Sequence, residues 1–109
     1  MRAHKYKAVR TEVDGISFAS KKEARRYGEL KLLERAGEIQ SLKLQPRYPL
    51  WCDNKILKTV TGREYVYVAD FAYVEKGEMI IEDTKGMKTE LYKLKRAIME
   101  ANGYKIRET

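Results

Sequence analysis

Asp70, Asp83 and Lys85 are the residues of this sequence whose types and spacing most directly offer chemistry. They lie in two apolar runs, residues 65–74 and 79–85, on either side of Lys76-Gly77. If that dipeptide is the tip of a β-hairpin, opposed residue numbers sum to one constant, so Glu75 faces Glu78 and Asp70 faces Asp83. Alternation along the strands puts Lys85 on the same face, with Val66, Val68, Ala72, Val74, Met79 and Ile81. Two carboxylates and an ammonium then share an otherwise apolar surface. Opposed like charges are destabilising and carboxylates resist ionisation near apolar surface, so a cation that neutralises them accounts for the arrangement. A hard divalent metal with oxygen ligands is the natural candidate.

An acid, any residue and a lysine is a cheap pattern in a chain with this much charge. Glu29-Leu30-Lys31 and Asp53-Asn54-Lys55 match it as well as Asp83-Thr84-Lys85. Glu29 and Lys31 are two apart on a helix and do not face each other, and Asp53-Asn54 reads as a turn. The third stands apart by its place at the end of an apolar strand, opposite a second aspartate, with Gly86 next to turn the backbone away. Glu82 alternates to the opposite face and is expected to be a supporting or surface residue. Tyr65, Tyr67, Phe71 and Tyr73 are expected together on that opposite face, packed against the second helix.

The elements that must position these residues follow from periodicity and caps. Residues 1–10 are basic and weakly patterned, consistent with a flexible N-terminus, and residues 13–18 read as a turn and strand. Ser20-Lys21-Lys22-Glu23 has capping-box form and opens a helix with Ala24, Tyr27, Leu30 and Leu33 at helical spacing, ended by Gly37. Residues 39–52 alternate, with Pro46 and Pro49 bending the strand or placing it near an edge. A second helix is expected over about 89–102, with Leu91, Leu94, Ile98 and Met99 on its apolar face, and residues 104–107 form a last strand. The expected fold class is α/β, one domain over 1–109, with a central sheet covered by two helices.

The chain has 109 residues, 43% of them hydrophobic and 36% charged, with a net charge of +7. That balance fits a single folded domain with a polyanionic partner, although a lysine-rich surface serving solubility explains the charge equally well. With one cysteine, Cys52, and one histidine, His4, thiolate clusters, zinc sites and histidine-based catalysis lack ligands. No eighteen-residue apolar run or signal-like h-region is present, so a cytoplasmic protein without a membrane span is expected. Lys21, Lys22, Arg25 and Arg26 form the densest basic cluster and are the first candidates for DNA-backbone contact, with Lys93 on the second helix.

The order of elements, with Asp70 in one strand and Asp83-Thr84-Lys85 in the next, resembles the PD-(D/E)XK nuclease superfamily. The resemblance implies a restriction-endonuclease-like core of helix, three strands, helix and strand, with a mixed central sheet. Ser20-Lys21-Lys22-Glu23 followed by Gln45-Pro46 is similar to transposon-end nucleases, and Asp83-Thr84-Lys85-Gly86 to phage Holliday-junction resolvases. Over residues 5–107 the chain resembles small phage and prophage proteins assigned to this superfamily. One departure is Ala69, where the motif often has proline. The resemblance implies that Glu23, Asp70 and Asp83, with a backbone carbonyl beside Asp83, hold Mg2+ (or Mn2+), that Lys85 orients or deprotonates a water, and that Gln45 contributes near the site. It implies a DNA endonuclease of recombination or processing, branched DNA included, for which junction resolution requires a homodimer. A catalytically silent DNA-binding or phage-assembly module on the same fold, and a protein-interaction factor, are the alternatives. Glu23 is independently explained as the capping-box glutamate.

Overall fold

A computed structural model of the chain describes residues 10–84 and 88–109. Strands β1 (Thr11–Val13) and β2 (Ile16–Phe18) form an antiparallel hairpin around Asp14-Gly15, one strand more than the sequence announces. Ser20 caps α1 (Lys21–Arg35), its hydroxyl accepting the Glu23 N–H at 3.1 Å. This satisfies one of the donors that a helix start leaves open. Beyond the helix, Gly37 takes a φ of 80°, a left-handed turn that costs a glycine little.

The central sheet contains β3 (Ile39–Leu44), β8 (Phe71–Glu75), β9 (Glu78–Asp83) and β10 (Ile106–Glu108), in the spatial order β10-β9-β8-β3. Between β3 and β8 the chain forms β4 (Arg47–Pro49), β5 (Trp51–Cys52), β6 (Lys55–Ile56) and β7 (Val66–Val68), which pair as β4 with β7 and β5 with β6. Before β10 comes α2 (Glu90–Ala101), capped by the Thr89 hydroxyl, which accepts the Tyr92 N–H at 3.0 Å. β10 runs parallel to β9 and the remaining pairs are antiparallel. The protein is thus a small single-domain α/β structure with two helices and a mixed sheet. Among the described residues no helix is long and apolar enough to cross a membrane.

The β8–β9 hairpin has the expected register: Glu75 pairs with Glu78, and the ladder continues to Phe71 opposite Glu82. Lys76 and Gly77 at its tip have φ of 51° and 80°, the left-handed pair that matches the twist of a two-residue hairpin. Residues 65–74 are not one strand, however. They divide into β7 and β8 at Ala69-Asp70, directly beside the place where β3 gives way to β4 at Gln45-Pro46. The Gln45 N–H donates to the Asp70 carbonyl at 2.9 Å and the Ala69 N–H to the Pro46 carbonyl at 3.1 Å. Two adjacent β segments therefore bend at one level, with Gln45 at a φ of 49° and Asp70 at the corner.

This bend overturns the expected sharing of faces, because side-chain alternation does not run unbroken from β7 into β8. Tyr67 and Ala69 join Leu50, Ile81 and Met99 in a core under α2. Phe71 and Tyr73 pack instead with Phe18, Ala24, Tyr27, Leu30 and Ile80 under α1. Ile80 and Ile81 are neighbours in β9 and belong to different cores, so the two helices cover opposite faces of the sheet. Tyr65 is partly exposed, and Val68 and Met79 are exposed too. The apolar face expected for α2 is only partly turned inward: Leu91 and Leu94 are 54% and 58% exposed, whereas Met99 is buried. Ile98 and Met99 of the expected face do pack on the core, and Tyr92 joins them in the seam that α2 turns inward.

Phe71 is completely buried, and Phe71→Ala is expected to cost about 3–5 kcal/mol through lost burial and a residual cavity. Leu32, 63% exposed on α1, provides the contrast: Leu32→Ala should stay within about 0.5 kcal/mol of wild type in urea denaturation.

Candidate functional site

The bend brings Asp70 against the end of β9, where Asp83 and Thr84 lie. The Asp70 N–H donates to Asp83 Oδ1 at 3.1 Å, and the N–H and hydroxyl of Thr84 donate to Asp70 Oδ2 at 2.7 and 3.0 Å. Asp70 is 9% exposed and Asp83 is fully buried. The two carboxylates that the hairpin register pairs in sequence are thus side by side, one step beyond the last β8–β9 pair. Both accept hydrogen bonds from backbone N–H groups.

Two tyrosines complete the surroundings of Asp83. Tyr67 from β7 and Tyr92 from α2 both donate to Asp83 Oδ2, Tyr92 at 3.2 Å. The Tyr92 hydroxyl also lies 3.2 Å from Glu108 Oε2. The phenol of Tyr92 thus stands between two carboxylates, with one hydrogen to offer them. Burial, then the charges of Asp83 and Glu108, push its ionisation well above the ordinary tyrosine range. Glu108 is in turn bound by Lys88 at 2.7 Å and by Arg96, and these partners, Lys88 first, hold its carboxyl below the usual range. Tyr67 and Tyr92 are the residues that sequence reasoning missed. Tyr67 falls on the wrong side if residues 65–74 are read as one strand, and Tyr92 is hidden by the more apolar Leu91 and Leu94.

Glu82 faces the other way, as alternation requires, but it is fully buried rather than superficial. Arg26 grips it in a fork, with Nε at 2.6 Å and an Nη at 3.0 Å, while Tyr73 and Thr109 donate their hydroxyls to the same carboxylate. Arg26 also contacts Glu29 at 3.0 Å. Its guanidinium is held even more firmly protonated than usual, chiefly by the Glu82 hydrogen bond. Of the basic cluster expected to meet DNA, Arg26 is therefore turned inward to a structural partner. Lys21, Lys22 and Arg25 remain exposed on α1. Lys22, Arg25 and Arg26, with Glu29, Thr109 and Thr84, the residue that holds Asp70, line a cleft of about 220 Å3.

Glu23 is buried one turn before Arg26 and Tyr27, on the side of α1 that faces the sheet. Among the described residues no three acidic, histidine or cysteine groups converge to hold a metal ion. Gln45 is exposed and meets Asp70 through its backbone. Lys93 pairs with Glu90 at 3.1 Å on the outer surface of α2. Lys85 lies outside the described residues. The remaining donor set, two buried carboxylates, is made of oxygen alone. Oxygen ligands of this type are the kind that hard divalent cations take.

A model of the family described as protein of unknown function (DUF1064) matches residues 3–109. No curated protein and no solved structure gives a significant match.

The two buried acids predict different phenotypes. Glu82→Ala should destabilise the protein by about 3–5 kcal/mol, because it leaves the mostly buried Arg26 charge without its partner. Chemical denaturation of Glu82→Ala, with Glu82→Gln as the milder variant, checks this. Tyr92 yields a pH prediction. An unfolded tyrosine ionises near pH 10 while the folded Tyr92 keeps its proton, so stability should fall as pH rises above about 10. Denaturation midpoints between pH 8 and 11 should fall less steeply in Tyr92→Phe than in wild type, on the order of one proton less in the slope.

Proposed function

Because the chain belongs to the DUF1064 family, whose description assigns no function, its activity has to be argued from its own residues, and we propose that it is a metal-dependent DNA endonuclease. The observation that carries this reading is the juxtaposition of Asp70 and Asp83 at a sheet bend, their carboxylates held in place by backbone N–H groups and by Thr84. The succession of α1, three strands of the central sheet, α2 and a final strand supports the finer assignment to a restriction-endonuclease-like core. The basic cleft that reaches Thr84 and the net charge of +7 support a polyanionic substrate.

Asp70 and Asp83 would hold Mg2+ or Mn2+, which when bound neutralises a phosphate and makes water a better nucleophile at neutral pH. Thr84 fixes one oxygen of Asp70, and the tyrosine pair fixes one oxygen of Asp83, so neither carboxylate has to reorganise as charge develops. Lys22 and Arg25 attract the phosphodiester backbone toward that point without reading sequence. Lys85 is assigned the orientation or deprotonation of the attacking water, on its place in the Asp83-Thr84-Lys85 motif. Glu23 is retained as a helper whose contribution comes after those of Asp70 and Asp83. Phage or prophage recombination or DNA processing is the setting that the motif supports. Four-way-junction resolution within it requires two such sites in a homodimer.

The contacts of Asp83 favour a second reading. Its two oxygens receive Tyr67, Tyr92 and the Asp70 N–H, and a carboxylate so well supplied also makes sense as a purely structural anchor. A DNA-binding or phage-assembly module without catalysis would follow.

Cleavage of duplex, nicked, flap and four-way-junction DNAs with Mg2+ or Mn2+ separates the two. Metal-dependent cutting should fall about a thousandfold or more in Asp70→Asn and Asp83→Asn at matched circular dichroism, the loss expected when several kcal/mol of charge stabilisation disappear. A folded wild type that cuts none of these DNAs and binds no metal by calorimetry would leave the binding module.

A further inference from the structure

On the α2 side of Asp83 a groove of about 390 Å3 runs between β7 and α2. Its volume lies at the small end of the range of about 300–1,000 Å3 typical of ligand sites. Tyr67 and Tyr92 line it, and their hydroxyls bond to Asp83. Val68 and Leu91 form an apolar rim, both exposed to a degree that the core does not explain. Lys95 is the single charged residue in the lining, with its Nζ 6.0 Å from the centroid of the Tyr65 ring. Lys93 and Arg96 on the same helix are engaged with glutamates, but among the described residues Lys95 forms no ion pair.

We propose that this groove binds an unpaired nucleotide of single-stranded DNA, its base on Val68, Leu91 and the partly exposed Tyr92 and its phosphate beside Lys95. The proposal rests on the reading of DNA as the substrate. An occupant that is flat and apolar in one part and anionic in another matches a groove that is apolar and aromatic with one cation. Base stacking on aromatic rings combined with backbone neutralisation is the general way in which single strands are held. A second copy of this chain matches less well, since it would bring a molecule of net charge +7 against another around Lys95. The groove is lined by the two tyrosines that bond Asp83, and the basic cleft by the next residue, Thr84. A strand end or unpaired stretch in the groove with duplex backbone in the cleft would select DNA at a junction between single and double strands.

The test measures fluorescence anisotropy of the full chain with fluorescein-labelled oligothymidylate, roughly 12 nucleotides long and within the site sizes of single-strand binders. A duplex of equal length serves for comparison, and EDTA keeps binding separate from cleavage. Leu91→Glu should weaken oligothymidylate binding by about tenfold, by removing apolar contact with the base and adding a charge that repels the phosphate, and Lys95→Ala should weaken it in the same direction. Leu32→Glu adds the same charge on exposed α1 and controls for general repulsion. Its effect should be small, and Leu91→Glu should affect duplex binding no more than it does. Equal weakening of both DNAs by the two glutamate variants would overturn the proposal, as would single-strand binding that Leu91→Glu leaves intact. A concentration-dependent dimer in sedimentation that only Leu91→Glu dissolves, with oligothymidylate binding retained, would assign the groove to a second copy instead. Loss of single-strand binding in Leu91→Glu, together with a wild type that cuts no DNA with Mg2+ or Mn2+ and binds neither metal, would uphold the groove and sink the nuclease reading.

Discussion

Two consecutive, fully buried carboxylates, Glu82 and Asp83, impose the constraint around which this protein is built. Removing an ionised carboxylate from water is costly unless hydrogen bonds or countercharge replace the solvent. A strand directs neighbouring side chains to opposite faces, so the two acids cannot share their partners. Each face of the sheet must solve the problem separately. Under α1 the solution is a guanidinium fork from Arg26 with hydroxyls from Tyr73 and Thr109. Under α2 it is two phenols and a backbone N–H, with no guanidinium in direct contact among the described contacts.

A carboxylate clasped by arginine has its charge matched by a guanidinium in direct contact, as Glu82 does with Arg26. The C-terminal strand serves both arrangements. Thr109 donates its hydroxyl to Glu82 and its N–H to the Asp83 carbonyl, and Glu108 meets Tyr92 and Arg96 from α2.

Features governed by short-range rules were legible in the sequence. Ser20 and Thr89 cap helices, Lys76-Gly77 turns a hairpin, and the resulting register brings Asp70 to Asp83. The roles of Tyr67, Tyr92 and Arg26 were not legible, because each depends on a partner 9 to 56 residues away. The bend at Asp70 is the instructive case. Pro46 signalled an interruption in the preceding strand, but nothing in residues 65–74 says that the paired segment must bend with it. Alternation was therefore carried through a corner where it fails. On α2, hydrophobicity favoured Leu91 and Leu94, whereas the inward seam includes Tyr92, whose hydroxyl reaches Asp83 and Glu108.

The bulge in β3 has a consequence for how these molecules behave together. β3 is one border of the central sheet, and its pairing with β8 slips between Gln40 and Lys43, where Ser41 takes a φ of 58°. The Leu42 N–H in that slip is claimed by Glu34 from the last turn of α1 at 3.2 Å. A border strand with a regular row of unused donors and acceptors invites another chain to extend the sheet. Here the row is broken and one donor is taken by a helix, while β10, the opposite border, is only three residues long. Both ends of the sheet are thereby poor templates for edge-to-edge aggregation.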